Sequence, residues 1–486
     1  MAEEKTFKGT SEIVTESLKL WKEVKTDNSV ESKFHVPIYT PNSIESEDQP
    51  LTFTFPNYPL CFLQDVDIFI TMKILKDGNE ITSEVYDLSC SNSFLNALIS
   101  HYELVVGDMH TIGQTLSHSH AYSSYFNFIL NGDAGDTDQL FLQNWEMDRG
   151  FISKVQAENK RTEKLFGFDL TQQDNVNVKI FNSVIEQGTT TQEDIDQWKS
   201  DKDNWFSLTP NSGLINRSQR LRSGKEFTIT DKLRIPFLTQ FKAIPGDLRL
   251  RLTMYRTPSS FSLIYPKTAG NYSIKFQDVR LQATYVRPYP PIHSLIQARI
   301  KREPIIYNFY RSEISFKPLS LTRFHRVSNV YENREIPSFA VFTVQRSRDI
   351  IGDSFGNPFV FFPFRSFSCN IDNIPVFNPI LKATGNGDKP EDYVDFLTNI
   401  RDFYGVNYFL KADTYQLNAQ VPVIFTPDKN RYTDNNISTF KTTSTVSILF
   451  ELAVDTPVDQ ELTLICWSLY PAQIEIDSDN NVKMIS

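Results

Sequence analysis

Cysteine is scarce in this chain of 486 residues. There are four, Cys61, Cys90, Cys369 and Cys466, far apart and without C-x-x-C spacing. That pattern gives no zinc motif and no small disulfide scaffold, so the four read as buried thiols of a reducing compartment. Histidine numbers seven, and His118 and His120 form the one close pair. On a strand both would share a face, but no third ligand stands near them, and a solvated loop ahead of the next helix is the plainer reading. No run of 18 apolar residues exists, so no transmembrane segment is expected. The opening MAEEKTFKGT has no apolar core, so no signal peptide is expected. An excess of positive charge is missing too: 49 Lys and Arg stand against 59 Asp and Glu, a net −10. That argues against phosphate binding over the whole chain and for no specific nucleic-acid site, with a local basic face left open.

Chemistry-bearing motifs are equally sparse. G-x-S-x-G, H-E-x-x-H, the P-loop and G-x-G-x-x-G do not occur. Asp477-x-Asp479-x-Asn481 resembles the start of a calcium loop but lacks its glycine and its glutamate at position twelve. Asp133, Asp136 and Asp138 read as a turn and helix cap rather than a carboxylate centre. N-x-S triplets at Asn216, Asn271 and Asn436 mean little without a secretory signal. The expectation is therefore no catalytic, cofactor-binding or metal residue, and no cofactor. Paired carboxylates for glycoside hydrolysis stay open, because their sequence spacing is not fixed.

What the chain has in quantity is phenylalanine, 38 residues against 18 glycines, within 40% hydrophobic and 22% charged residues. Such a chain buries real cores, and its aromatic weight favours strands. Asn271 to Tyr310 sets the plan. Ile274 and Phe276 alternate with polar neighbours; then Val279, Leu281, Ala283 and Tyr285 alternate on the opposite parity, a strand with a bulge at Gln277-Asp278. Pro288, Pro290 and Pro291 stop it. Ile292, Leu295, Ile296 and Ile300 fall at helical spacing, and after Pro304 period 2 returns with Ile305, Tyr307 and Phe309. One β-unit ends here and another begins, across a stiff proline elbow.

Along the rest of the chain, residues 1–45 read as a polar arm with an amphipathic stretch Ser11–Val24 carrying Ile13, Val14, Leu18 and Trp21. Alternation marks strands at Leu51–Phe55, Ile68–Ile74, Tyr102–Val106 and Leu248–Met254. Asp77-Gly78 supplies a hairpin turn, and Pro245-Gly246 a turn in which glycine permits the φ that follows proline. Tyr122, Tyr125, Phe126 and Ile129 share a helical face that ends at Asn131-Gly132, and Leu140 to Trp145 suggests a shorter helix. Residues 150–225 are a polar surface insertion, with a capping box near Thr190. In the second half, Phe339 and Val341 lead to a Phe-rich stretch Phe359–Phe367 and a turn at Asp372-Asn373. A helix is expected from Pro390 to Gly405, a strand at Val446–Val454, and a strand covered on both faces at Leu462–Leu469. Each half holds about eight strand candidates. The fold class is all-β with short helical excursions, as two tandem jelly-roll β-sandwiches. The expected divisions are an arm at 1–45, a first roll at 46–290 and a second at 291–486.

Several segments resemble one family in order and spacing: FPNYPLCFLQDVDIFITMKILKDGNEI, SNSFLNALISHYELVVGD with the following HAYSSYFNFILNGDAGDTDQLFLQNWEMD, LRLRLTMYRTPSSFSLIYP, GNPFVFFPFRSFSCNIDNIPV and the closing IEIDSDNNV. The chain resembles the double jelly-roll major capsid proteins (hexon-like) of the Polinton/Maverick and adintovirus type. The resemblance implies a structural protein, not an enzyme. It implies homotrimeric, pseudo-hexameric capsomers that tile an icosahedral shell around double-stranded DNA. Implied partners are the chain itself, neighbouring capsomers and minor capsid or penton proteins. The implied location is the virion, with assembly in nucleus or cytoplasm undecided. Two other classes stay open on the residues alone: a lectin-like glycan-binding sandwich and a carbohydrate-active enzyme.

Overall fold

The computed structural model describes residues 29–83, 85, 88–107, 110–131, 144–145, 212–240, 242–265, 270–331, 336–352, 358–359, 361–362, 364–377, 423–425, 445–452 and 461–485. In chain order the first half contains β1 (Val30–Tyr39), β2 (Leu51–Thr54), β3 (Phe62–Lys76), β4 (Asn79–Glu80), β5 (Ser89–Cys90), α1 (Phe94–Ala97), β6 (Ile99–Val106), β7 (His110–Gln114) and α2 (Ser119–Asn131). It continues with α3 (Ser212–Leu221), β8 (Phe227–Lys232), β9 (Ile244–Pro245), β10 (Leu250–Arg256), α4 (Ser259–Ser262), β11 (Leu263–Ile264) and β12 (Tyr272–Pro288). After α5 (Pro290–Ile300) come β13 (Ile305–Leu319), β14 (Phe324–Val327), β15 (Phe339–Arg346), α6 (Ser347–Ile351), β16 (Phe364–Ile371), β17 (Ile374–Phe377), β18 (Val423–Phe425), β19 (Val446–Leu452), β20 (Leu462–Ile476) and β21 (Val482–Ile485).

Sheet order settles the connectivity that periodicity alone leaves open. The first half folds into sheet I, β1-β12-β3-β8, and sheet II, β2-β10-β6-β7. The second folds into sheet III, β13-β20-β15-β18, and sheet IV, β14-β19-β16-β17. Counting only these principal strands, both halves have the order 1-8-3-6 facing 2-7-4-5. First pairs with last, and the chain alternates between sheets except at the hairpin of strands 4 and 5, which is the jelly roll. Every pairing among the described strands is antiparallel.

Local chemistry explains the elements. In β10, Leu250, Leu252 and Met254 are buried while Arg251 is exposed, as period 2 requires. The bulge in β12 falls where its parity slips: pairing with β3 skips from Phe276 to Asp278. Asp77 and Gly78 both take positive φ (50° and 78°) in the β3–β4 turn, and Asp372 and Asn373 do so (49° and 66°) between β16 and β17.

Three expectations are revised. Val30–Tyr39, inside the stretch read as a polar arm, pairs with β12 from Val30↔Pro288 to Tyr39↔Arg280 as an edge strand. Its outward residues meet water, so it reads as polar, and Pro37 is tolerated at an edge. Gly246 is not in the left-handed region; it is needed for space, because a Cβ there would lie 2.5 Å from the Tyr58 carbonyl oxygen. The end of the polar insertion, Ser212–Leu221, is helix α3, with Arg217, Ser218 and Leu221 buried. Phe359 and Phe361 belong to no strand and pack against α2, while strand β16 starts only at Phe364. The Ser11–Val24 stretch, the short helix before Trp145, the capping box near Thr190 and the helix expected at Pro390–Gly405 lie outside the described residues.

The elbow connects the rolls, but it does not hold them together. No residue of α5 is buried. The hold comes from β13 and β20, which pair over fifteen residues from Ile305↔Ile476 to Leu319↔Leu462 without a register shift. At one end of this ribbon, Tyr307, Phe309, Ala472, Ile474 and Ile476 enter the core of the first roll. At the other, Leu464 and Cys466 enter the core of the second.

Candidate functional surfaces

The most elaborated interface in the molecule lies on the outer face of sheet III. All residues from Leu462 to Tyr470 are buried, and so is all of β15. One parity, Leu462, Leu464 and Cys466 with Ala340, Phe342 and Val344, fills the second roll. The other, Ile465, Trp467 and Leu469 with Phe339 and Val341, faces outward and is covered by α2. Helix α2 belongs to the first roll, in the connection from β7 to β8. Its Tyr122, Phe126 and Ile129 are buried in this seam, and Tyr125 stacks on Phe359 at 4.4 Å. Three polar links fix the register of the packing. Tyr122 donates its hydroxyl hydrogen to Gln345 Oε1 at 2.8 Å, Ser312 Oγ donates to Ser123 Oγ at 3.0 Å, and Trp467 Nε1 donates to Ser312 Oγ at 2.8 Å. Burial pushes the Tyr122 phenol well above its ordinary range, so it stays a neutral donor.

The two histidines singled out from sequence open α2, and they are buried rather than solvated. Two positions apart at a helix start they diverge instead of sharing a face. The His118 ring stacks on Phe261 at 4.2 Å, and His120 sits edge-on to Tyr102 at 5.5 Å and hydrogen-bonds Ser124 Oγ at 3.3 Å. Burial lowers both to about 4, helped by His101 near His118 and by Arg234 near His120, so both are neutral imidazoles at neutral pH. They act as packing groups of the seam.

Asp477, Asp479 and Asn481 form a hairpin turn between β20 and β21. Asp477 Oδ1 accepts from the backbone N–H of Asp479 and of Asn481, each at 2.9 Å, and Oδ2 accepts from Asn481 Nδ2 at 2.9 Å. These bonds, those from Asn481 foremost, hold the Asp477 carboxyl below its usual range. The turn also ties the rolls together: Asn480 Nδ2 donates to Asp247 Oδ2 at 3.1 Å. All four cysteines are free and buried, and burial pushes Cys369 and Cys466 up to about 12, as inert structural thiols. Sequence reading missed a buried polar knot in the first roll. Arg217 Nε donates to the Cys90 carbonyl at 3.0 Å and Asn144 Nδ2 to Cys90 Sγ at 3.1 Å. A lone Arg in a polar stretch carries no sequence signal of burial.

The outer face of sheet I differs. It carries Asp65, Asp67, Thr71, Lys73, Thr228, Lys232, Lys275 and Arg280. Ion pairs cross it, Lys232–Asp65 at 3.5 Å and Arg280–Asp278 at 3.9 Å, and Arg280 lies over the Phe69 ring at 5.2 Å. A cavity of about 300 Å³ opens beside β13 in the second roll, lined among others by Glu313, Ser315, Lys317, Tyr331 and Ser468. Among the described residues that line it, Glu313 is the one carboxylate, and it pairs with Arg311 at 3.1 Å. No helix among the described residues is long and apolar enough to cross a membrane.

Two jelly rolls of one strand order, fused through a shared ribbon, define the double jelly-roll fold. No protein-family model matches the chain, and no curated protein matches its sequence. Solved structures do match. The chain is similar to a chain in the cryo-EM structure of the Sputnik virophage, with a TM-score of 0.54 and 11% identity over 98% of this chain and 93% of that one. It is similar to PBCV-1 VP54, as fitted into a cryo-EM reconstruction of Sputnik, with a TM-score of 0.52 and 8% identity over 96% and 99%. The Faustovirus major capsid protein matches with a TM-score of 0.51 and 7% identity over 94% and 91%. At these identities the likeness establishes the fold, end to end.

Proposed function

We propose that this chain is a major capsid protein, a structural subunit whose copies associate as homotrimers and tile a closed icosahedral shell of a double-stranded DNA virus. The observation that carries the reading is the repetition of one sandwich topology, 1-8-3-6 facing 2-7-4-5, twice in one rigidly fused chain. Two like units per chain give three chains a six-part outline, the shape that packs a curved lattice by rotational closure. The neighbours of matching fold support it, since the Faustovirus protein is itself a major capsid protein. In this reading the chain works by shape, in the virion. Its further partners are neighbouring capsomers and minor capsid proteins, and its lineage is of the Polinton type. The outer face of sheet I is then the surface offered to a neighbouring copy, because its counterpart on sheet III is already covered by α2 within the chain.

The test is the mass of the purified protein by light scattering at neutral pH, with negative-stain images of the same peak. A mass near three times 56.1 kDa with hexagonal outlines is expected. A well-folded monomer that never assembles overturns the reading.

A further inference from the structure

Strand β13 inverts the usual polarity of a sandwich strand. Its outward residues Ile314 and Phe316 are apolar and pack in the seam with α2. Its inward row, Arg311, Glu313, Ser315 and Lys317, is polar throughout. The register fixes which way this row faces. Ser315 stands opposite Cys466 and Lys317 opposite Leu464, and both partners lie in the core of the second roll. Residues directly opposite on paired strands share a face. Polar groups turned into a sandwich need partners or a space of their own.

The space is the cavity of about 300 Å³ beside β13. It is lined by Glu313, Ser315 and Lys317, by Ser468 and Tyr470 of β20, and by Tyr331 between β14 and β15. Tyr331 is only 8% exposed and Ser468 only 2%. The Tyr331 and Tyr470 rings meet edge to face at 6.4 Å. Three hydroxyls, on Ser315, Tyr331 and Ser468, are buried here, and among the described residues none completes a hydrogen bond. Ser315 stands close enough to the Cys466 thiol, and Ser468 to the Tyr331 phenol, to offset part of the upward push of burial on each. Neither approach reaches bonding geometry. The carboxylate is in a different position, because Glu313 already pairs with Arg311 at 3.1 Å.

Inward charges on an edge strand can serve only to deter stray strand pairing, and β13 is an edge of sheet III. That accounts for Arg311, Glu313 and Lys317. It leaves out Ser468, on the interior strand β20, and Tyr331, which is in no strand. Hydroxyls from three separate segments of the chain meet at one cavity, and each both donates and accepts. They match a ligand that carries hydroxyls itself. Glu313 and Lys317 balance in the lining, so the lining asks no net charge of the ligand. The volume equals that of about ten waters and lies at the small end of ligand pockets, the size of one sugar ring.

We infer that this cavity binds a neutral monosaccharide unit, held by the hydroxyls of Ser315, Tyr331 and Ser468 beside the Tyr331 and Tyr470 rings. The site lies within one chain, so it does not depend on the assembly proposed above.

The experiment is saturation-transfer NMR on the full-length protein with free glucose, galactose and mannose, and with glucuronate as the charged comparison. At least one neutral hexose is expected to receive saturation, and more strongly than glucuronate. Tyr331→Phe and Ser468→Ala should each weaken that binding about tenfold, the loss of one ligand hydrogen bond. Ser315→Leu, which fills the space from an edge strand, should abolish it. The unfolding midpoint of Tyr331→Phe should not fall, because the hydroxyl removed has no partner in the fold. Saturation of none of the three hexoses overturns the inference and leaves a cavity that holds water alone. A preference for glucuronate overturns it too, as does hexose binding that survives Ser315→Leu. The variants lie in separate segments, so a folding failure of one leaves the others to decide.

Discussion

The outer faces of sheets I and III occupy equivalent places on two rolls of one topology, and their chemistry is opposite. Sheet III presents Ile465, Trp467, Leu469, Phe339 and Val341 outward, under α2. Sheet I presents Asp65, Asp67, Lys73, Lys275 and Arg280. Backbone pairing dictates neither choice, because a strand sends alternate side chains to both faces whatever they are. The difference records what covers each face. A face met in every molecule, during folding, is apolar and closely packed, since it never has to be soluble. A face that must first meet water, and later at most another copy, stays charged. The fusion of the rolls is thus part of the fold's core.

The sharpest way to break this contrast is at Trp467, 1% exposed, with its indole N–H on Ser312 and its ring 5.8 Å from Phe126. Trp467→Ala opens a cavity on the seam, and it should cost about 3–5 kcal/mol in urea unfolding. The loss should reach both rolls together, because β20 contributes to both cores. A change limited to the second roll, with first-roll signals unmoved, would show that the ribbon does not couple them.

Acid should weaken the same seam by a smaller amount. His118 and His120 have folded values near 4, below their ordinary 6.5. The unfolded chain therefore binds more protons between those values, and stability falls as pH drops from about 6.5 toward 4. Each histidine accounts for up to about 3 kcal/mol by the bottom of that window. Unfolding midpoints measured from pH 7 to pH 4 should slope downward, and a His118→Gln/His120→Gln variant should flatten the slope. An unchanged slope in the variant would place the acid sensitivity elsewhere.

Much of the architecture was legible because it rests on alternation. Leu250, Leu252 and Met254, the Asp77-Gly78 turn, the bulge beside Gln277 and the double-faced Leu462–Leu469 each carry a local signal that the fold obeys. The Tyr122 helix was legible as a helix, but its role was not. Nothing in its sequence says that its apolar face meets sheet III rather than its own roll. Edge strand β1 hid because Glu31, Ser32 and Lys33 face water and Pro37 interrupts the pattern. The elbow looked like the joint because its prolines are conspicuous, whereas the actual hold is spread over pairs such as Tyr307↔Ile474, 167 positions apart. The histidines were misplaced for the same reason: Phe261, which buries His118, lies far along the chain.

The mildest change tests the other half of the contrast. Lys73 pairs with Glu80 at 3.3 Å and Lys232 with Asp65 at 3.5 Å, all at least partly exposed. Reversing both lysines, Lys73→Glu with Lys232→Glu, should move unfolding by only about 0.5 kcal/mol per site, since exposed pairs contribute little. If the face is offered to a neighbouring copy, the same variant should lose the trimeric mass, because like charges set against a complementary surface act on association more than on folding. The two readings separate cleanly. Stability falling by several kcal/mol would mean that sheet I relies on its surface charges as sheet III relies on Trp467. Unchanged stability with unchanged assembly would leave this face to solvent and move the contact between copies to another surface of the rolls.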